Sequence, residues 1–280
     1  MKTLSEIKVG FIGSGAMGSA LARAAARALD GTRVFVTCRT ASRRDSVAEE
    51  LGVRTALDNP SLVTLCDVVF IAVKPAQLPA VLNEISPRCA GKVLVSAAAG
   101  VPLASIRAAL SGASPAALFR VMPNIAASIG ESMTALAPEQ PAPATVEAAA
   151  ALVAELLSPG GPVEQVDEGL MDCVTAISGS GPAYGFIFIE ALADAAVGMG
   201  MPRQKAYRFA AQTLKGAAAL VLETGCHPAV LKDSVCSPAG TTIEAVRALE
   251  SGAFRSTIIE AARRAAGRSR SISSQQTGGQ

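Results

Sequence analysis

Aromatic residues and net charge are both low in this 280-residue chain. Tryptophan is absent, aromatic residues make up 4% of the sequence, and the formal net charge at pH 7 is +2. A chain so close to neutral lacks the basic surface with which proteins bind nucleic acids or acidic membranes. The N-terminus lacks the apolar core of a signal peptide, which predicts a cytoplasmic protein.

Metal ligands and membrane spans are also poorly supported. His227 is the only histidine, and none of the six cysteines stands in a C-x-x-C pair, so we predict no metal site. The most apolar later stretch, about 183–201, carries Glu190 and Asp194. Acidic residues are costly inside a membrane, so this stretch predicts a buried helix at an interface.

Short apolar runs alternate with helical patterns in the first half of the chain. Predicted strands are Lys8–Ile12, Arg33–Cys38, Val68–Val73, Val93–Ala97, Ala117–Val121 and Val163–Val166. The clearest helical patterns are Ala16–Leu29, Ser42–Leu51, Leu103–Leu110 and Val146–Leu157, and Pro138–Pro143 is a predicted loop. This alternation predicts an α/β unit with a doubly wound, mainly parallel sheet.

The pattern changes near Asp167. Beyond it no strand-like run is convincing and helical periodicity prevails. The predicted domains are therefore residues 1–167, the α/β unit, and residues 168–268, an all-α unit. Residues 269–280 are rich in Ser, Gln and Gly and are predicted to form a disordered tail.

A glycine-rich turn follows the first predicted strand and opens the first predicted helix. It consists of Gly13, Ser14, Gly15, Ala16, Met17 and Gly18, in the pattern GxGxxG. In this context such a turn binds the pyrophosphate of a dinucleotide at the helix N-terminus. Gly13 permits the tight turn, Gly15 lets the backbone approach the pyrophosphate, and Gly18 lets helix and strand pack closely. The alternative is a glycine-rich turn that binds no dinucleotide.

The end of the second predicted strand bears on the choice of cofactor. Arg39 and Thr40 stand where a site for NADH usually has an acidic residue. Arginine suits the 2′-phosphate of NADPH, so we predict NADPH, with NADH as the alternative. Arg43 and Arg44 lie nearby in the sequence, and at least one of them is expected on a solvated helix face.

Two further strand ends are candidates for cofactor contacts, because ligands bind at the carboxyl ends of strands in such sheets. The third predicted strand leads into Ala72, Val73, Lys74 and Pro75. The fourth leads into small residues around Ala98, which would let a flat nicotinamide ring approach the backbone. The alternatives are an ordinary edge lysine at position 74 and close helix–sheet packing at position 98.

A second polar loop lies near the end of the chain. It contains Ser237, Pro238, Ala239, Gly240, Thr241 and Thr242. A loop of this composition before a helix presents backbone N–H groups to an anion such as a carboxylate, and its hydroxyls add further donors. The alternative is that one threonine caps the following helix, which is compatible with an anion site.

Five segments together resemble pyrroline-5-carboxylate reductases, in the same order and at the expected spacing. They are the GxGxxG turn, Val73–Pro75, Arg120–Asn124, Ser178–Tyr184 and Asp233–Ile243. The last segment is the most specific, because it resembles the family's D-x-V-x-S-P-G-G-T-T-I signature, from which Ala239 departs. The resemblance runs from about Val9 to Arg268.

This resemblance implies an oxidoreductase that uses NAD(P)H to reduce 1-pyrroline-5-carboxylate to L-proline, the last step of proline biosynthesis. It implies a Rossmann domain and a helical dimerisation domain, in a homodimer or a decamer of five dimers. Asn59 would contact the adenosine ribose, the Lys74 turn would lie on the nicotinamide side, and Asn124 would join the cofactor contacts.

The same resemblance places the substrate between the nicotinamide and the loop from Ser237 to Thr242, with the partner subunit completing the site. Ser237 and Thr242 are the implied catalytic residues, and Thr242 would donate a hydrogen bond to the ring nitrogen. Ala239, Gly240 and Thr241 would complete substrate binding. Cofactor preference, dimer or decamer, related cyclic imines, inhibition by proline and the effect of Ala239 stay open.

Three other interpretations of the sequence are possible. The first is a hydroxyacid dehydrogenase or another imine reductase of similar plan. Many such dehydrogenases use a helix lysine as general acid, but Lys205, Lys215 and Lys232 lack such a motif. A nucleotide sensor predicts an eroded second site, and a purely structural oligomer leaves the GxGxxG turn unexplained.

Overall fold

The computed structural model describes residues 3–142 and 144–277. The chain forms two compact units, one of Met1–Ser180 with Ala265–Gln280 and one of Gly181–Arg264. The first unit thus reaches beyond the predicted boundary at Asp167, because Met171 is buried against Ala135 and Ala137 of the α/β unit.

Eight strands form one sheet in the first unit, in the order β3-β2-β1-β4-β5-β6-β7-β8. The strands are β1 (Val9–Ile12), β2 (Val34–Thr37), β3 (Arg54–Thr55), β4 (Val68–Ile71), β5 (Val93–Ser96), β6 (Ala117–Met122), β7 (Thr134–Pro138) and β8 (Val163–Gln165). Neighbouring strands are parallel except β6 and β7, which are antiparallel. The strand order reverses between β1 and β4, where doubly wound sheets bind their ligands.

Helices cover both faces of this sheet. They are α1 (Ala16–Ala28), α2 (Ala41–Leu51), α3 (Asn59–Leu65), α4 (Leu78–Ile85), α5 (Leu103–Ala109) and α6 (Ala144–Leu157), and the short α7 (Met171–Val174) follows β8. Alternate strand residues face opposite cores. Phe70 packs in one core with α1 and α6, where its ring stacks on Phe11 at 4.8 Å, whereas Ile71 packs in the other core with α3, α4 and α5. The predicted fold class is confirmed.

Among the strands and α-helices in the described residues up to Asp167, four were not predicted: β3, β7, α3 and α4. Helices α3 and α4 are short and each has a proline in its first turn, so their apolar periodicity is brief. The predicted loop at Pro138–Pro143 is wrong at Pro138, which ends β7 opposite Phe119 of β6. Pro143 lies outside the described residues.

The second unit contains α8 (Gly181–Gly198), α9 (Arg203–Thr224), α10 (Pro228–Ser234), α11 (Thr241–Ser251) and the first part of α12 (Phe254–Thr277). Large apolar side chains are exposed on these helices in the single chain, among them Phe186, Ile187, Phe209 and Leu222. An apolar surface of this kind is typical of an interface with another chain. Within 3–142 and 144–277, no helix has the length and apolar character that a bilayer crossing requires.

The prediction of a disordered tail is wrong for residues 269–277, which lie in α12. Ser269 is 5% exposed, and its hydroxyl donates a 2.6 Å hydrogen bond to the Asp172 carboxylate. Ile272 lies so close to Gly100 that a Cβ on that glycine would be 3.0 Å from the Ile272 Cγ2. Contacts between residues so far apart in the sequence cannot be predicted from composition alone. Residues 278–280 lie outside the described part of the chain.

Candidate functional site

A cavity of about 760 Å³ opens at the carboxyl ends of β1, β2 and β4 in the first unit, and we call it the strand-end cavity. Nine of the predicted cofactor residues line it: Gly13, Ser14, Gly15, Arg39, Thr40, Asn59, Ala72, Val73 and Lys74. Ala16, Met17 and Gly18 lie in the first turn of α1 beside it, and Pro75 begins the short turn Pro75–Gln77. The fold thus brings together four separate stretches of sequence.

The geometry of the glycine-rich turn fits a pyrophosphate. Gly13 has a φ of +91°, a backbone conformation that favours glycine. A Cβ on Gly15 would meet no atom within 4 Å, so the space beside this residue is open to a ligand. Gly15 is also the N-cap of α1 and makes no side-chain cap hydrogen bond, which leaves the helix N-terminus open to an anion.

Three arginines follow β2, and the structure separates their roles. Arg39 and Arg43 both line the strand-end cavity, and Arg43 Nη2 donates a 3.4 Å hydrogen bond to the carbonyl oxygen of Ser14. Arg44 is not among the cavity residues, and its Nε lies 3.0 Å from Asp45 Oδ1. Arg39 and Arg43 therefore supply two positive charges to the cavity lining, whereas Arg44 forms an ion pair with Asp45 outside it.

The cavity also contains polar residues that sequence reasoning did not select, notably Thr37, Asp58 and Glu84. Asp58 caps α3, and hydrogen bonds from the Ser61 side chain and backbone N–H hold the pKa of its carboxyl below the ordinary value. Glu84 lies on α4, which was not predicted. No signal near position 84 in the sequence indicates that this helix borders the cavity.

Ala98 and Asn124 are not among the residues that line the strand-end cavity. Ala98 is buried, and its backbone N–H donates a 3.3 Å hydrogen bond to Ser96 Oγ. The Asn124 Oδ1 accepts from the backbone N–H of Ala126 at 2.9 Å, and its Nδ2 donates to Ser178 Oγ at 3.3 Å. Asn124 thus caps the turn Ile125–Ile129, and the cofactor contacts of Ala98 and Asn124 remain predictions.

The second predicted site lies in the second unit, at the N-terminus of α11. The backbone N–H of Gly240 donates a 3.0 Å hydrogen bond to the Ser237 carbonyl oxygen, which closes the loop. Gly240 is the N-cap of α11 and makes no side-chain cap hydrogen bond. The alternative in which a threonine caps this helix is therefore wrong, since Thr241 and Thr242 are its first two residues. Backbone N–H groups here can bind a carboxylate.

Ala239 keeps the backbone conformation of a glycine, with a φ of +55°. Alanine in this left-handed region is strained by about 1 kcal/mol. We expect Ala239→Gly to raise the free energy of unfolding by about 0.5–1 kcal/mol, measured by denaturant titration. The control is Ala245→Gly within α11, which should lower it by about 1 kcal/mol. Destabilisation by both substitutions would contradict the strain at position 239.

Comparisons with known proteins identify the family of this chain. A family model for pyrroline-5-carboxylate reductase dimerisation matches residues 168–272, and one for coenzyme F420-dependent NADP oxidoreductases matches residues 8–100. The pyrroline-5-carboxylate reductase of Methanosarcina acetivorans is 42% identical over 274 residues, which are 95% of this chain and 97% of that protein.

Solved structures of the same enzyme family are also similar. A pyrroline-5-carboxylate reductase from Coxiella burnetii superposes with a TM-score of 0.86 at 34% identity, over 95% of this chain and 98% of that one. A Plasmodium falciparum pyrroline carboxylate reductase with NADP bound gives a TM-score of 0.85 at 30% identity, over 97% and 100% of the two chains. On this evidence the chain belongs to the pyrroline-5-carboxylate reductase family.

Proposed function

We propose that the protein reduces 1-pyrroline-5-carboxylate to L-proline with NADPH. The observation that carries the proposal is the pairing of two sites in one chain: a dinucleotide-type cavity with two arginines, and a Ser/Gly/Thr loop at an open helix N-terminus. Relatives of nearly the same length are named for this reaction, which supports the choice of substrate.

NADPH, when bound, supplies the hydride that the imine carbon accepts. The glycine-rich turn and the N-terminus of α1 bind its pyrophosphate, and Arg39 and Arg43 bind the 2′-phosphate. Asn59, Ala72, Val73 and Lys74 contact the rest of the cofactor from the cavity wall.

The loop from Ser237 to Thr242 binds the imine. Its hydroxyls and the N–H groups that open α11 hold the carboxylate, and Thr242 donates a hydrogen bond to the ring nitrogen. An imine accepts hydride better when its nitrogen is protonated, so a donor at nitrogen stabilises the charge that the reaction requires. Orientation and electrostatics are then the protein's contribution to the rate.

The proposed active form is a homodimer, either by itself or as one of five dimers in a decamer. The exposed apolar side chains of α8 and α9 and the match to the dimerisation model support a partner of the same kind. We place the enzyme in the cytoplasm.

The reaction is tested by the loss of reduced-nicotinamide absorbance when purified protein meets pyrroline-5-carboxylate, with NADPH and NADH in parallel. Oxidation that requires the imine and yields proline is the expected result. Cofactor binding without oxidation would reject this substrate and favour a related imine or a hydroxyacid.

Arg39→Ala is expected to weaken NADPH binding about tenfold or more and NADH binding much less, because only NADPH carries the 2′-phosphate. Arg43→Ala should act in the same direction, since Arg43 also lines the cavity. Arg44→Ala is the matched control, because this arginine pairs with Asp45. Dissociation constants for both cofactors give the answer, and equal losses for NADPH and NADH would remove the 2′-phosphate role.

A further inference from the structure

The side chain of Asn59 lies between two polar groups on the wall of the strand-end cavity. Thr37 Oγ1 donates a 2.8 Å hydrogen bond to Asn59 Oδ1, and Asn59 Nδ2 donates a 2.8 Å hydrogen bond to Glu84 Oε2. These three residues come from β2, α3 and α4, and all of them line the cavity. The arrangement holds an amide at the place where the cofactor is proposed to bind.

The two neighbours of this amide differ in what they can accept and donate. An ionised carboxylate only accepts hydrogen bonds, so Glu84 requires the nitrogen end of the amide to face it. A threonine hydroxyl both donates and accepts, so Thr37 would bind either end of the amide equally well. Of the two partners, therefore, Glu84 alone determines which way the Asn59 amide points.

We propose that Glu84 is a positioning residue for the cofactor: it fixes the orientation of the Asn59 amide that meets the adenosine ribose. With the amide fixed, its second N–H and the remaining acceptor site on Oδ1 are presented in one arrangement to the adenosine ribose, which in NADP⁺ carries the 2′-phosphate and keeps only its 3′-hydroxyl free. The inference rests on the proposed function in two respects: that the ligand of the cavity is NADPH or NADP⁺, and that Asn59 contacts it.

The contribution of the Glu84 carboxylate to folding stability does not explain why a carboxylate stands at this position. Glu84 is exposed, and a polar pair at an exposed position contributes little to folding. A negative charge on the wall of a cavity that binds a phosphate-bearing ligand also opposes binding by charge repulsion. A role in orienting Asn59 accounts for a carboxylate at this position.

Glu84→Gln separates orientation from simple anchoring. Glutamine can hydrogen-bond either end of the Asn59 amide, so the contact survives while the orientation is lost. We expect the dissociation constant of NADP⁺ to rise about three- to tenfold, with the melting temperature and the KM of the imine unchanged. Charge alone predicts the opposite sign, because removing a negative charge should tighten NADP⁺ binding.

Two further variants complete the test. Glu164→Gln on β8 removes the same charge at the far edge of the sheet and should leave NADP⁺ binding unchanged. Thr37→Val removes the other hydrogen bond but leaves Glu84 to orient the amide, so it should weaken binding less than Glu84→Gln does. Binding is measured with NADP⁺ alone by calorimetry, so a failure of imine reduction does not affect the result.

Two results would overturn the proposal. Unchanged or tighter NADP⁺ binding by Glu84→Gln would show that orientation of Asn59 does not matter. If Thr37→Val weakened NADP⁺ binding as much as Glu84→Gln does, the two residues would only anchor Asn59. By contrast, wild-type protein that binds no NADP⁺ would overturn the proposed function itself.

Discussion

Gly18→Ala is expected to abolish cofactor binding and to lower the free energy of unfolding by about 3 kcal/mol or more. A Cβ on Gly18 would overlap the carbonyl oxygen of Gly13 and would lie 3.0 Å from the Gly13 carbonyl carbon. It would also lie 3.2 Å from the Cβ of Ala72. None of these atoms can rotate out of the way, so the turn or α1 must move.

Gly15→Ala is the matched control, because it adds the same methyl group three residues earlier. A Cβ at Gly15 meets nothing within 4 Å, and the φ of −69° suits alanine. The fold should therefore keep its stability, while the methyl group occupies the space where the pyrophosphate is proposed to approach. NADP⁺ binding should fall in both variants, and stability only in Gly18→Ala.

Chemical unfolding followed by circular dichroism, together with calorimetric titration of NADP⁺, distinguishes these outcomes. A Gly18→Ala protein as stable as the wild type would show that α1 does not depend on close approach to the turn. Unchanged NADP⁺ binding by Gly15→Ala would show that the pyrophosphate lies elsewhere.

Much of the cofactor cavity could be predicted because its residues follow strands with strong local patterns. The GxGxxG turn, Arg39 and the Val73–Pro75 turn each stand directly after a run of apolar residues, and parallel strands end at the same edge of a sheet. In this fold, residues that can be recognised from a local sequence pattern at strand ends therefore lie close together in space.

Other features depend on contacts between distant residues, which no local pattern shows. Glu84 is hydrogen-bonded to Asn59, 25 positions away, and both lie on short helices with a proline in the first turn. Ser269 is buried through Asp172, 97 positions away, in a segment whose composition is typical of disorder. In both cases the hydrogen-bond partner is brought close only by the tertiary fold.

The arginine positions show how the structure narrows a sequence prediction. Arg39 was the predicted phosphate residue, whereas charge and proximity in sequence do not distinguish Arg43 from Arg44, of which at least one was expected on a solvated helix face. On α2, Arg43 and Arg44 are neighbours and point about 100° apart around the helix axis. Arg43 accordingly faces the cavity while Arg44 pairs with Asp45.

Thr242→Ala is expected to lower kcat by about 10²–10³-fold while NADP⁺ binds as tightly as before. Thr242 is the second residue of α11, in the second unit, and its hydroxyl is proposed to donate to the imine nitrogen. Loss of that donor removes stabilisation of the charge on nitrogen during hydride transfer, whereas the cofactor cavity of the first unit is left intact.

Two variants identify the hydroxyl as the group responsible. Thr242→Ser keeps a donor and should retain most of the activity, whereas Thr242→Val keeps the shape and should be as slow as Thr242→Ala. Steady-state kinetics with saturating NADPH, paired with NADP⁺ titration, separates turnover from cofactor binding. Equal activity of the valine and serine variants would exclude Thr242 as the donor and leave Ser237 as the hydroxyl to test next, since both belong to the same loop at the open N-terminus of α11.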